Sequence, residues 1–130
     1  MKVGIITFHW GTNYGGVLQA YALQTFLENI GHEVEIINYA PHTFRDSFIK
    51  CFYTKNPFAI IDNLKNYWKE KNIAKFRTKY LKLTERYYTP EQLIKNPPKM
   101  DAYIAGSDQI WNPYGLNSNK KIYFLPFNSN

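Results

Sequence analysis

Hydrophobic and polar positions at the start of the chain predict a strand, a helix and a second strand. Lys2 to Phe8 is a short and nearly continuous apolar run, which is typical of a strand covered on both faces. From Tyr14 to Ile30 the apolar positions change to helical spacing, and Gly31 suits the left-handed conformation that ends many helices. Glu33 to Tyr39 then alternates as a second strand. Because strand-helix-strand units with short connections are nearly always right-handed, we predict that these strands are parallel.

The first predicted helix is apolar on two sides. One stripe begins with small residues and continues with large ones: Gly16, Ala20, Leu23, Leu27 and Ile30. Small residues near the start of a helix allow it to approach a sheet closely. The opposite side carries Tyr14, Leu18 and Tyr21. A helix buried on two sides predicts a covering layer or a second domain.

The region from Pro41 to Lys82 is predicted to be helical over much of its length. Apolar residues follow helical spacing in two sets, Phe58, Ile61, Leu64 and Trp68, then Ile73, Phe76 and Tyr80. The phase slips between the two sets, which predicts two helices or one broken helix. We place this region as a helical insertion at about residues 44–80.

The last part of the chain predicts a short helix and two more strands. Thr89 as N-cap, Pro90 at the first position and Gln92 closing a capping box mark a helix start. Asp101 to Ala105 is predicted as a third strand and Ile122 to Leu125 as a fourth. Residues 1–130 therefore predict a single α/β domain with a Rossmann-like parallel sheet flanked by helices.

The net charge of +6 favours anionic partners. Between Lys65 and Lys82 the sequence has one acid, Glu70, and seven basic residues: Lys65, Lys69, Lys71, Lys75, Arg77, Lys79 and Lys82. They form either a solvated helix face or a patch that attracts phosphates or an anionic membrane. Nucleic acid is disfavoured because the neighbouring aromatic residues take core spacing rather than lying beside the lysines for base stacking.

Cysteine usage and hydropathy favour a cytoplasmic location. Cys51 is the single cysteine, so no internal disulfide can form and nothing indicates an oxidising compartment. No apolar run approaches the length that spans a membrane. The basic region adds the inner membrane surface as a second expected place of association.

Two glycine-containing segments follow predicted strands and are expected to meet. Residues 9–16 and 106–113 combine glycines with amide, carboxylate and aromatic side chains. Ligands bind at the carboxyl ends of the strands in an open parallel sheet, so both loops predict one polar, aromatic-edged pocket. The glycine spacing is not that of a dinucleotide or P-loop motif, and Asn38 stands where a dinucleotide site needs an acid. Histidines and cysteine show no metal-ligand spacing.

Each candidate residue also has a structural interpretation. Asn13 is either a helix cap or a ligand contact, while the helix-start amides at Tyr14, Gly15 and Gly16 suit an anion or a hydroxyl oxygen. Gln19 suits a structural bond or a ligand contact, and His9 suits packing or a site.

In the second loop, Asp108 is the single carboxylate and suits either a turn or a base. For Trp111 the spacing favours a buried structural anchor over a binding role. Ser107, Gln109 and Asn112 supply further hydrogen-bonding groups beside Gly106.

Several segments together resemble the polysaccharide pyruvyl transferase family. They are residues 3–9 leading into 13–24, residues 31–39, and most strongly the segment from Asp101 to Pro113. The resemblance implies the N-terminal half of a GT-B-type two-domain transferase, whose active cleft lies between two Rossmann-like halves. The C-terminal donor domain is then absent from this chain, which is expected to be inactive alone.

The resemblance also implies a reaction. The pyruvyl group of phosphoenolpyruvate moves onto two hydroxyls of a sugar as a cyclic ketal in cell-surface polysaccharide biosynthesis. Phosphoenolpyruvate is a co-substrate, and no cofactor is expected. Asp108 is the implied base, and the implied substrate-binding residues are His9, Asn13, Tyr14, Gly15, Gly16, Gln19, Gly106, Ser107, Gln109, Trp111 and Asn112. The two loops contain no cation clamp, so the donor site is expected in the missing half.

Two alternatives remain open. One is a catalytically inactive, truncated sugar-binding or remnant domain, and the other is half of a GT-B-type glycosyltransferase. The expected partners are a sugar or glycan-precursor acceptor and the missing C-terminal half. A second copy of the chain is a further expected partner, because apolar surface around Leu18 favours self-association.

Overall fold

The fold is built on a parallel sheet of four strands. The computed structural model describes residues 1–10, 13–40, 57–106 and 122–126. The strands are β1 (Lys2–Ile6), β2 (Glu33–Tyr39), β3 (Leu83–Tyr87) and β4 (Ala102–Ala105), in the spatial order β3-β2-β1-β4. Every neighbouring pair is parallel. The predicted α/β class with a Rossmann-like parallel sheet and flanking helices is therefore confirmed.

Two core clusters hold the sheet between its flanking segments. One cluster joins Ile5 and Ile36 of the sheet to Val17 and Leu27 of the first helix and to Ile73. The other lies on the opposite face. It contains Ile6, Ile37, Tyr39, Tyr87, Leu93, Ile122 and Tyr123. Strands covered on both faces explain the continuous apolar run at the start of the sequence.

Helix α1 (Tyr14–Asn29) forms where the sequence predicts it. Gly31 follows with a φ of 93°, the left-handed conformation predicted for the helix end. The buried stripe is turned by about one position from the predicted one, because Val17 and Gln24 are buried while Ile30 is exposed. The predicted close approach to the sheet is confirmed at Gly16, where a Cβ atom would lie 2.7 Å from the carbonyl oxygen of Phe8.

Gln24 joins α1 to the start of β3. Its Nε2 donates to the carbonyl oxygen of Tyr80 at 3.2 Å, and its Oε1 accepts from the backbone N–H of Lys82 at 2.9 Å. Both backbone groups lie at the connection between the helix that ends at Tyr80 and strand β3, where neither element's own ladder pairs them. A buried amide side chain thus sets the position of this connection against α1.

Helix α2 (Pro57–Tyr80) is a single continuous helix of 24 residues. The prediction of two helices or a broken helix is therefore wrong for residues 57–80, while residues 44–56 of the predicted insertion lie outside the described residues. The apolar phase slips because the two ends of the helix meet different surroundings. Phe76 and Tyr80 pack against Tyr21 of α1, with ring centroids 5.7 and 5.9 Å from it, whereas Trp68 is 57% exposed. Within the described residues, α2 thus covers α1 at Tyr21, whereas Leu18 is exposed.

The short helix α3 (Pro90–Lys95) has the predicted capping box. The Thr89 hydroxyl accepts from the Gln92 N–H at 3.3 Å, and Gln92 Oε1 accepts from the Thr89 N–H at 3.3 Å.

Residues 122–124 form a short 3₁₀ turn, so the predicted strand from Ile122 to Leu125 is wrong. Burial of Ile122 and Tyr123 against the sheet face explains their apolar character without a strand. None of the helices that the structure describes is long and apolar enough to span a membrane.

Candidate functional site

The two glycine-containing loops leave the sheet side by side. Strands β1 and β4 are parallel neighbours, so their carboxyl ends lie at the same edge. The Gly106 N–H donates to the carbonyl oxygen of Ile6 at 2.9 Å, and the buried Thr7 hydroxyl donates to the carbonyl oxygen of Gly106 at 3.0 Å. These bonds fix the point where each loop begins. We call this side of the sheet, with the residues that follow each strand, the carboxyl edge.

Gly106 is packed closely, so a side chain there would require its neighbours to move by a few tenths of an ångström. A Cβ atom would lie 3.1 Å from Leu23 Cδ2 and 3.2 Å from Ile5 Cγ2. The glycine therefore brings the start of the second loop against α1 and β1. The candidates that follow it, Ser107, Asp108, Gln109, Trp111 and Asn112, lie outside the described residues, and their roles stay predictions.

Asn13 caps helix α1 in the structure. Its side-chain oxygen accepts from the Gly15 N–H at 3.0 Å. Tyr14 is 51% exposed, and the ammonium of Lys69 lies 5.1 Å from the centroid of its ring. Gln19 is exposed on the surface of α1, away from the buried Gln24. The cap is thus established for Asn13, whereas ligand binding by these residues stays a prediction.

His9 is buried at the carboxyl edge. Its Nδ1 lies 3.1 Å from the carbonyl oxygen of Thr7, and its Nε2 lies 3.1 Å from Oδ1 of Asn38 on β2. Burial lowers the pKa of His9 below its ordinary value of 6.5, and the charges of Arg77 and Arg86 act in the same direction against the two hydrogen bonds. His9 is therefore packed inside the fold, where its ring connects the segment after β1 to β2, and ligand binding by His9 stays a prediction.

The lowered pKa of His9 predicts a pH-dependent stability. Above pH 6.5 the ring is neutral in both states, so its contribution is fully present. As the pH falls below that value the unfolded chain takes up a proton that the folded chain excludes. The free energy of unfolding should then decrease by up to about 1.4 kcal/mol per pH unit until the folded pKa is reached. Urea unfolding of the chain and of His9→Gln between pH 7.5 and 5.5 measures this difference.

The slope should be shallower in His9→Gln, since the other titrating groups are common to both proteins. Equal slopes would contradict the assignment. A ring carbon signal of His9 that titrates at or above pH 6.5 would contradict it independently of whether the variant folds.

Aromatic side chains border the carboxyl edge. Phe8 packs against Trp10 with ring centroids 5.9 Å apart and against Tyr123 at 4.9 Å. Tyr123 in turn meets Tyr39 at the end of β2 at 5.9 Å. This aromatic cluster lies next to the polar residues that follow β1.

Two arginines at the carboxyl edge are absent from the predicted site. Arg77 of α2 donates from Nη1 to the carbonyl oxygen of His9 at 3.0 Å. Arg86 of β3 donates from Nη2 to the carbonyl oxygen of Ala40, directly after β2, at 3.1 Å. The sequence contains one signal for them: of its sixteen basic residues, only Arg45, Arg77 and Arg86 are arginines.

Metal ligation finds no support in the described part of the chain. Within residues 1–10, 13–40, 57–106 and 122–126, no three His, Cys, Asp or Glu side chains are grouped so that they could hold a metal ion. The groups that gather at the carboxyl edge are instead amides, guanidiniums, an imidazole and aromatic rings. They suit hydrogen bonding to hydroxyls and charge pairing with anions.

The fold and this edge define the class of protein. An open parallel sheet with polar and aromatic residues after its strands is the α/β architecture that binds ligands at the carboxyl ends of the strands. A family model described as Polysaccharide pyruvyl transferase matches residues 13–129, and the chain belongs to that family. No curated protein and no solved structure matches the chain.

Proposed function

We propose that this chain is the acceptor-side half of a pyruvyl transferase. The enzyme transfers the pyruvyl group of phosphoenolpyruvate onto two hydroxyls of a sugar as a cyclic ketal, in the synthesis of a cell-surface polysaccharide. The observation that carries this proposal is the family match over residues 13–129. The match includes the whole second loop and the first loop from Asn13 onward. The shared edge of β1 and β4 supports it, because both loops begin side by side there.

The reaction assigns a role to the second loop. Asp108 accepts a proton from one acceptor hydroxyl, and both hydroxyl oxygens form bonds to C2 of the enolpyruvyl group. The C2–O bond to phosphate breaks, phosphate leaves with one of the two protons, and the other proton becomes part of the new methyl group at C3. A carboxylate within reach of the acceptor hydroxyl is what general base catalysis requires.

The remaining candidates orient the acceptor sugar. Their amide and hydroxyl groups suit the hydroxyls of a sugar, because each of these groups can both donate and accept hydrogen bonds. The residues are Asn13, Gln19, Ser107, Gln109 and Asn112. Trp111 and the aromatic cluster supply apolar surface for the faces of the ring. The proposal needs no organic cofactor because phosphoenolpyruvate is consumed as a co-substrate.

The proposal places the protein in the cytoplasm, near the inner membrane surface. Helix α2 supports this, because its first half exposes Phe58 and Ile61 next to a series of lysines. An exposed apolar stripe beside positive charges suits an anionic membrane surface, where a glycan precursor is carried. The same exposed surface suits a second copy of the chain.

A transfer assay tests the proposed function. The chain is incubated with phosphoenolpyruvate and a panel of sugar acceptors, alone and together with the C-terminal half that the proposal requires. We expect phosphate release and a ketal product only from the combined halves. Absence of product from the combined halves across the panel would contradict pyruvyl transfer and favour a binding or remnant domain.

A further inference from the structure

We propose that Arg77 and Arg86 form a phosphate-binding site at the carboxyl edge of the sheet. The two residues come from different elements, α2 and β3, and they converge on the ends of the two central strands. Neither glycine-containing loop contains a lysine or an arginine, and Arg77 and Arg86 bring two positive charges to this edge from other elements.

Each guanidinium is held in place by a backbone carbonyl. Arg77 Nη1 donates to the oxygen of His9, three residues after β1, and Arg86 Nη2 donates to the oxygen of Ala40, one residue after β2. Arg86 also lies over the ring of Tyr88, 4.7 Å from its centroid. A carbonyl oxygen and an aromatic ring orient a guanidinium without neutralising its positive charge.

The two charges act on each other. Burial lowers the pKa of Arg77, and the positive charge of Arg86 lowers it further, while Glu70 acts in the opposite direction. Among the residues that the structure describes, Arg77 forms no ion pair. The ion pairs there join Lys2 and Lys82 to glutamates. A bound anion relieves the repulsion between two neighbouring cations, so this arrangement favours a ligand with more than one negative charge.

The choice of residue supports a phosphate. Thirteen of the sixteen basic residues are lysines, yet the two side chains that donate to the backbone carbonyls following β1 and β2 are arginines. Arginine presents a planar fork of N–H groups that binds two oxygens of one phosphate at once, whereas lysine acts as a point charge. A chain that uses lysine almost everywhere else thus has the phosphate-binding side chain where ligands are expected.

The inference deepens the proposed function, on which the identity of the ligand rests. A phosphate reaches this edge from one of two sources, the donor phosphoenolpyruvate or a phosphate through which the acceptor sugar is carried. Binding itself does not depend on pyruvyl transfer. The site can therefore be tested in the chain alone.

Calorimetric titration of the chain tests the site. The three probes are inorganic pyrophosphate, phosphoenolpyruvate and glucose 1-phosphate. We expect Arg77→Gln and Arg86→Gln each to weaken binding about ten- to a hundredfold, the loss typical of one charge-assisted hydrogen-bonding group. Lys79→Gln removes the same charge two residues along α2, where Lys79 lies over the ring of Tyr80, and should change binding less than about twofold.

The probes distinguish the two sources. Tightest binding of phosphoenolpyruvate supports a donor site, and tightest binding of glucose 1-phosphate supports a carrier phosphate. Arg77→Lys should recover less than half of the lost binding free energy, because the fork is absent. Thermal unfolding of each variant establishes that it is folded. No binding of any probe, or equal binding by both arginine variants and the unchanged chain, would overturn the proposal, whatever the transfer assay gives.

Discussion

If the chain acts as proposed, replacing Asp108 by asparagine is expected to lower kcat for pyruvyl transfer about 10²–10⁴-fold in the presence of the C-terminal half that the proposed function requires. Asparagine has nearly the same shape but cannot accept the proton that leaves the acceptor hydroxyl. The KM for phosphoenolpyruvate should change little, because the donor does not depend on this carboxylate. Initial rates of phosphate release at varied donor concentration measure both quantities.

Asp101→Asn is the matched control for this variant. Asp101 lies at the opposite, amino end of β4, where its carboxylate accepts from the backbone N–H of Lys2 at 2.6 Å. The same chemical change at the other edge of the sheet should leave kcat unaltered. A kcat for Asp108→Asn close to that of Asp101→Asn would remove Asp108 from the role of base.

Replacing Gln24 by leucine is expected to lower the free energy of unfolding by about 2–4 kcal/mol. Leucine fills a similar volume but leaves the carbonyl of Tyr80 and the N–H of Lys82 without their partner. Both groups lie at the connection between α2 and β3, so the loss also weakens the contact of α2 with α1. Urea unfolding of the two proteins measures the difference.

Gln19→Leu is the control on the same helix. Gln19 is exposed, and a surface substitution of this kind changes stability by less than about 0.5 kcal/mol. A Gln24→Leu variant as stable as Gln19→Leu would show that the buried amide does not hold the connection. The comparison thus separates the loss of two buried hydrogen bonds from the general effect of exchanging glutamine for leucine.

Local patterns predict most of the elements. The strand at Lys2–Ile6, helix α1, the strand at Glu33–Tyr39, the capped helix α3 and the strand at Ala102–Ala105 all form where periodicity and capping residues place them. In each case the pattern is dictated by burial against the sheet or by a side chain that satisfies the helix start. These causes are visible in neighbouring residues.

Strand β3 is the element that the pattern does not predict. It is an edge strand, and Glu85 and Arg86 in its middle are exposed, so it lacks a clear alternation of apolar and polar residues. The continuity of α2 is missed for a related reason. Its apolar residues follow two phases because its last part packs on α1 while residues such as Phe58 and Trp68 are exposed.

The candidate site, too, is only partly predictable from the sequence. The adjacent positions of Thr7 and Gly106 follow from two parallel strands, and the sequence predicts that both loops begin at one edge. The arginines at this edge are not predictable from spacing. Arg77 and Arg86 come from a helix and an edge strand, and their approach to His9 and Ala40 exists only in the folded chain.

The central claim is that the loops after β1 and β4 border one crevice, with Asn13 and Asp108 on its two sides. Nuclear Overhauser contacts in the isotopically labelled chain measure this directly. We predict contacts between protons of residues 9–16 and protons of residues 106–113. Contacts that place residues 107–112 at the amino end of the sheet, beside Lys2 and Glu33, would contradict the claim.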